Sequence, residues 1–371
     1  MRILRIVHRL FPPSVGGIEF HARALSKMQS SMGHEVVVFT TRDPGMPEHE
    51  FRDGYEICRF AELGHPFGNP MTLSMMLALM KIDRHGIDIV HAHSHLFFCT
   101  NAAALKRKLS SIPLVITNHG FKVKRGPAFN LLQGIYLETL GSLTLRMADR
   151  VISLTSDEAR RVCSLGVSRG KSVVIPSGVE TDLFAPAEQP SDQDTILWAG
   201  RFVEEKGVKY LVEAAKLIVR EFPSARLLLI GYGPLENHLK MYAEALGISD
   251  NVIFMEPVSR ETLASFLKRC TVFALPSLSE GFPNVVLEAM ACSKPVVATD
   301  GIGLNSIVGN AGIFVPPRDP RSLADAILCL LYDQALRRKL GQCARSAIVD
   351  VHSWERIADI TTELFRQLID R

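Results

Sequence analysis

The sequence predicts an α/β protein built from two doubly wound, Rossmann-like halves, each a parallel sheet covered by helices. Three observations carry this prediction. Short β-branched runs alternate with helical patterns through the first half; a polar stretch at 177–194 interrupts them; the alternation then restarts. The strand runs are apolar throughout, not at every second residue, as in a parallel sheet buried on both faces. A chain of 371 residues has length for two such cores.

In chain order, RILRIVH (2–8) reads as a strand. Residues 18–32 read as a helix with Ile18, Ala22, Leu25, Met28 and Met32 on one stripe; Gly33 stops it, and EVVVFT (35–40) is the next strand. Further strands fall at 87–93, 113–119 and 149–155, with helical patterns near 70–83, 96–109 and 128–147. The stretch SGVETDLFAPAEQPSDQD (177–194) reads as a linker. Strands then follow at 195–200, 225–231, 251–255, 271–276 and 294–299. Helices are expected at 208–222, 234–246, 260–268, after Pro283, and at 322–332, 334–350 and 353–371. The expected domains are 1–185 and 186–350, with 351–371 a C-terminal helix. Sheets of this kind bind ligands beyond the C-terminal ends of their strands, so a cleft between the two halves is expected.

Composition narrows the function classes. With 47% apolar and 22% charged residues the chain is an ordinary globular protein. Its seven cysteines are scattered and lack CxxC spacing, which points to reduced thiols and a cytoplasmic location. The N-terminal apolar run is too short for a signal peptide, being broken by Arg5, His8 and Arg9. The longest apolar stretch, 71–80, is far short of the ~20 residues that cross a bilayer. Net charge is +3, but residues 1–185 carry 22 Lys and Arg against 16 Asp and Glu, leaving the second half acidic. Either the halves face different partners or the asymmetry is chance.

Three motifs carry chemistry. In PPSVGGIEF (12–20), Gly16 and Gly17 remove side-chain bulk before a helix whose first amides can approach an anion. The spacing is not GxGxxG, so NAD is poorly supported, and plain turn chemistry explains the pair as well. In GRFVEEKG (200–207), Arg201 ends a strand and Lys206 precedes a helix. Two fixed cations there can neutralise a departing diphosphate without metal, although pairing with Glu204 and Glu205 would make this only a solvated loop. In SEGFPNVVLEAM (279–290), Glu280 lies on a loop and Pro283 and Asn284 open a helix that carries Glu288. The helix start offers amides, and the carboxylates can accept pairs of sugar or ribose hydroxyls.

The interval Glu280–Glu288 resembles the EX7E motif of retaining glycosyltransferases of family 4 (glycosyl transferases group 1), which have the GT-B fold. The resemblance spans nearly the whole chain: GGIE, TNHG (117–120), PSGVE (176–180), GRFVEEKG, GYGP (231–234), the EX7E stretch and HSWERIA (352–358). It implies a hexosyltransferase that uses a nucleotide-diphosphate sugar as co-substrate, with neither metal nor other cofactor. Arg201 and Lys206 would grip the diphosphate, Glu280 would hold sugar hydroxyls and Glu288 the ribose. His119 would reach the reacting sugar, and the Gly16–Gly17 amides would approach the distal phosphate. Donor contacts would also fall to Gly231, Gly233, Phe282, Pro283, Asn284 and Val285. The resemblance implies retention by same-face attack, and a final helix that returns to the first half with Trp354 near the joint. The chain departs from the family where Asn305 and Ser306 replace a usual Pro and Glu, which bears on donor preference.

His91, His93 and His95 share one strand face with no carboxylate or thiol at matching spacing, so they read as structural, not metal-binding. Asp192-Gln193-Asp194 mimics a metal-binding DxD but sits in the polar stretch. The basic run GFKVKRGPAF (120–129) with Lys106, Arg107 and Lys108 suits either acidic lipid headgroups, hence peripheral contact with the cytoplasmic membrane face, or a merely solubilising surface. Nucleic acid is not expected, since no aromatic residues interleave a basic groove. The expected partners are a UDP- or GDP-sugar and a glycan or lipid-linked acceptor, with the protein a monomer or weak oligomer. The alternatives are a catalytically silent nucleotide-sugar-binding protein and a Rossmann oxidoreductase.

Overall fold

The computed structural model describes the chain except residues 13–15, 84–85, 122–126, 188–193, 281, 302 and 371, and gives only the backbone of Phe67, Pro127, Ala128 and Ser306. The chain divides into two compact units. One comprises Met1–Ser177 with Trp354–Arg371, the other Gly178–Ser353.

The first unit holds β1 (Arg2–Ile6), β2 (Glu35–Thr41), β3 (His49–Arg52), β4 (Tyr55–Phe60), β5 (Ile89–His93), β6 (Leu114–Thr117), β7 (Arg150–Ser153) and β8 (Ser172–Val174). They form one sheet in the order β3-β4-β2-β1-β5-β6-β7-β8. Every pairing is parallel except β3 with β4. The sheet is covered by α1 (Gly17–Ser31), α2 (Leu73–Lys81), α3 (Phe98–Leu109), α4 (Pro127–Tyr136), α5 (Ser142–Met147) and α6 (Ser156–Ser164). Both faces are apolar: within β1, Ile3 enters one core and Leu4 and Ile6 the other, all fully buried. That explains why the strands read as continuous hydrophobic runs.

The second unit holds β9 (Thr195–Arg201), β10 (Arg226–Tyr232), β11 (Val252–Met255), β12 (Val272–Leu275), β13 (Val296–Thr299) and β14 (Gly312–Val315), parallel in the order β11-β10-β9-β12-β13-β14. Its helices are α7 (Val208–Glu221), α8 (Glu236–Ala245), α9 (Arg260–Arg269), α10 (Asn284–Ala291), α11 (Asn305–Val308), α12 (Pro320–Tyr332) and α13 (Gln334–Val351). The last helix, α14 (Trp354–Ile369), belongs to the first unit, where Trp354, Phe365 and Leu368 are buried. It is joined to α1 by a hydrogen bond from Gln29 to the Thr362 hydroxyl (3.0 Å).

Several elements differ from the sequence expectation. The β3–β4 hairpin was not expected, nor were β8, α6, β14 and α11. The helical pattern at 128–147 is broken by a π-helical turn, Leu137–Gly141, between α4 and α5. The division after Ser177 precedes the boundary expected at 185, and the later one falls at Ser353, not 350. Part of the expected linker is built into the second unit: Phe184 is fully buried there, and the Val179 amide donates to the His352 carbonyl (2.8 Å). Apolar side chains at 179 and 184 hold a stretch whose composition is otherwise polar. Among the described residues, no helix is long and apolar enough to cross a membrane.

Candidate active site

In the second unit the strand order reverses at β9, which lies between β10 and β12. A reversal of this kind opens a crevice at the strand C-termini, where ligands bind in open α/β sheets. Arg201 ends β9 and is exposed, and Ser277 and Glu280 follow the end of β12. Lys206 approaches from the β9–α7 connection and bonds both Glu280 oxygens, at 2.8 and 2.6 Å. The Ser277 hydroxyl donates to Glu280 Oε1 at 2.5 Å. The Glu280 side chain is only 4% exposed and that of Lys206 24%, so this is a largely buried ion pair.

Gly207 brings the pair together. It adopts φ +62, and a Cβ there would lie 2.0 Å from the Pro276 carbonyl oxygen. Only glycine lets the Lys206 turn rest against the segment after β12. The Leu278 amide fixes the same register by donating to the Glu205 carbonyl (2.7 Å). Glu205 and Glu204 were the alternative partners for Lys206; the structure gives Lys206 to Glu280.

The GYGP turn is held just as tightly. A Cβ on Gly231 would lie 1.8 Å from the Gly200 carbonyl oxygen, and one on Gly233 2.6 Å from that of Phe202. These glycines therefore pack the turn against the strand end that carries Arg201. Beyond it, Asn284 and Val285 open α10, no side chain among the described residues caps this helix start, and Phe282 and Pro283 lead into it. Glu288, on α10, is buried and receives Arg260 Nη1 at 2.8 Å; Arg260 also reaches Glu180 at 3.2 Å. Burial pushes the Glu288 carboxyl above its usual range, against the pull of Arg260. Asn305 lies at the start of α11, its amide 3.4 Å from Asp300.

In the first unit the order reverses at β1, between β2 and β5. Imidazoles gather at that reversal. His93 Nδ1 and His119 Nε2 are 3.0 Å apart, and the His21 ring stands edge-on to His119 with centroids 5.0 Å apart. His21 also approaches the Ser177 hydroxyl (3.2 Å) and packs edge-on against Trp354. Burial lowers the pKa values of His21 and His93 well below normal and that of His119 to about 3, so all three are neutral near pH 7. The Glu19 carboxylate meets His8 at 3.2 Å and fills the space over Gly16, where a Cβ would clash at 2.2 Å. The α1 start, expected to offer the Gly16 and Gly17 amides to an anion, thus already holds a carboxylate of its own helix.

The one-face reading of His91, His93 and His95 needs correcting. Ser94 adopts φ +62 and ends the strand, so His95 turns away to pack against Phe121. His91 bonds the Thr117 hydroxyl (2.7 Å), leaving His93 to meet His21 and His119. Ligand atoms of His21, His93 and His119 lie within 4.8 Å of one another, a set the local spacing of HAHSH did not reveal.

Two family models match the chain in succession: Glycosyltransferase Family 4 over residues 15–183, and Glycosyl transferases group 1 over 179–347. The chain belongs to the group 1 glycosyltransferases. A D-inositol 3-phosphate glycosyltransferase of Kineococcus radiotolerans is 29% identical over 95% of this chain and 91% of that protein. An uncharacterized glycosyltransferase of Methanocaldococcus jannaschii is 27% identical over 99% and 98%. Among solved structures, sucrose-phosphate synthase of Thermosynechococcus elongatus is 26% identical with a TM-score of 0.81, covering 100% and 99% of the two chains. This glycosyltransferase has the GT-B fold, and it is a transferase enzyme.

Sequence reasoning about the glycosyltransferase missed Ser277, Arg260, Glu19 and His21. Arg260 carries no local signal, since its partner Glu288 lies on another helix. Glu19 and His21 follow Gly17 on α1, where both are buried, but two residues apart they carry no shared-face signal in the sequence. Lys122, Lys124 and Arg125 of the basic run, Asp192 and Gln193 of the DxD mimic, and the Ser306 side chain lie outside the described residues.

Proposed function

We propose that this glycosyltransferase moves a hexose or N-acetylhexosamine from a UDP- or GDP-sugar to a hydroxyl of a glycan or lipid-linked acceptor, with retention at the anomeric carbon and without a metal ion. The observation that carries the reading is the Lys206–Glu280 pair beside exposed Arg201 at the β9 reversal. A lysine has three N–H donors, of which Glu280 engages two, leaving one for a phosphate oxygen. Glu280 has capacity left to accept from a sugar hydroxyl, while Arg201 supplies a second cation.

In the proposed step the anomeric C–O bond to the diphosphate breaks and the acceptor oxygen bonds the same carbon from the same face. The acceptor proton passes to the departing phosphate oxygen. Lys206, Arg201 and the first amides of α10 stabilise the charge that leaves, the role otherwise given to a divalent ion. Glu288 binds the ribose hydroxyls. Neutral His119 supplies a hydrogen bond to the transferred sugar and does not act as an acid. With the first half net basic, the reading includes peripheral contact with the cytoplasmic membrane face.

A thermal-shift panel of UDP, GDP, ADP and their sugars tests the donor assignment, since stabilisation follows affinity. One nucleotide series should raise Tm, and NAD(P) should not. Transfer should persist in excess EDTA; loss restored by manganese would overturn the metal-free mechanism. Nucleotide stabilisation without transfer to any acceptor would instead favour a silent binding protein.

A further inference from the structure

The first unit contains a cavity of about 390 Å³ walled by His8, Pro66, Leu96, Phe97, Phe129 and Leu132. This size suits a small ligand group. Most of the polar groups that line it are already committed, the buried His8 Nδ1 being the exception. Asn69 donates to the Leu96 carbonyl (3.2 Å) and accepts from the Phe98 amide (3.0 Å). The Tyr136 hydroxyl lies 2.9 Å from the His95 carbonyl and 3.0 Å from Asn101 Oδ1. Gln133 has a partner as well. His8 lies flat on Phe97 with centroids 3.6 Å apart and turns Nε2 to Glu19.

A glycan seated here would strip water from its hydroxyls and meet walls with few groups to replace it, a cost of the kind that excludes polar ligands from apolar sites. A hydrocarbon loses nothing by the same transfer. The mouth of the cavity points to the same chemistry. Leu132, in its wall, is 52% exposed, and Leu131 and Ile135 beside it on α4 are 67% and 54% exposed. His8 joins this cavity to the candidate site, its ring forming a wall and its Nε2 facing the carboxylate that lies over Gly16.

On the glycosyltransferase reading above, we infer that this cavity holds the alkyl or prenyl chain of a lipid-linked acceptor, with the acceptor hydroxyl on the His119 side. The recognised group is the hydrocarbon next to the sugar, and a purely polysaccharide acceptor is disfavoured.

The test is calorimetric titration of the full-length protein with methyl, hexyl, octyl and decyl β-D-glucopyranosides below their micellar concentrations, with maltotriose as the chain-free control. Affinity should rise with chain length, by up to about fourfold per methylene, and level off once the cavity is filled. Methyl glucoside and maltotriose should bind most weakly. Leu132→Gln and Phe129→Ala should flatten the dependence on chain length while leaving stabilisation by UDP or GDP unchanged. Equal affinity along the series, maltotriose binding as tightly as decyl glucoside, or an undiminished dependence in both variants would overturn the inference. The nucleotide series, measured in parallel, separates the two claims. Its failure would sink the donor assignment, whereas a flat alkyl series with nucleotide stabilisation intact would sink only the acceptor assignment.

Discussion

Breaking the Lys206–Glu280 pair should cost stability and activity together, and a double-mutant cycle can measure the coupling. Removing one partner of a buried ion pair typically costs about 3–5 kcal/mol, because a charge is left buried and unpaired. Here Glu280 keeps its Ser277 hydrogen bond, and Lys206 is a quarter exposed, so the carboxylate left behind can regain some water. We therefore expect Lys206→Ala to destabilise the second unit by about 1–3 kcal/mol. Glu280→Gln should cost less, since the lysine it leaves is the more exposed partner. Adding Lys206→Ala to Glu280→Gln should then cost almost nothing further, giving a coupling of about 1–3 kcal/mol, the cost of Lys206→Ala alone. The chain has two tryptophans, Trp198 in the core of the second unit and Trp354 in the first. In a Trp354→Phe background, urea unfolding followed by Trp198 fluorescence reports the second unit alone. This matters because two units need not unfold as one transition. Transfer should fall at least a hundredfold in Lys206→Ala and in Glu280→Ala. A coupling indistinguishable from zero, or wild-type turnover in either variant, would refute the reasoning.

Gly207→Ala should destabilise by about 1–3 kcal/mol and lower turnover, since its Cβ meets the Pro276 carbonyl at a positive φ; Gly247→Ala, at positive φ with open space, should cost less and spare turnover in the same melts and assays. Arg260→Ala leaves buried Glu288 without its cation and should weaken nucleotide binding about tenfold by calorimetry, with a loss of about 2–4 kcal/mol in urea; unchanged affinity would remove Glu288 from the ribose site. The first unit should lose stability as pH falls. His21, His91, His93, His95 and His119 all have lowered pKa values, those of His95 and His119 about 4 and about 3, so the unfolded chain takes up protons first, below about pH 6.5. Each group contributes about 1.4 kcal/mol per pH unit between its two pKa values. Urea midpoints read through Trp354 should drop from pH 7 to 5, and a rise would contradict the burial of neutral imidazoles.

The β/α alternation was legible because each central strand is buried on both faces, and continuous apolar runs such as LLLIG (227–231) leave little choice. The β3–β4 hairpin was not, since HEFR at the sheet edge is mostly polar and only half-buried. Lys206 and Glu280 could be singled out separately, but their contact spans 74 positions and depends on how closely Gly207 approaches Pro276, which no local pattern encodes. The histidines were visible as a run. What decided their grouping was the backbone of Ser94, whose positive φ no residue preference would suggest.

The return of α14 to the first unit has a consequence for synthesis. The face of β1 and α1 that receives Trp354 and Phe365 emerges from the ribosome early, yet its cover is encoded after residues 178–353. At ordinary elongation rates the wait is on the order of 10–35 s. During that interval the nascent amino-terminal unit displays an oily groove, while the unit encoded later already has every element it needs to fold.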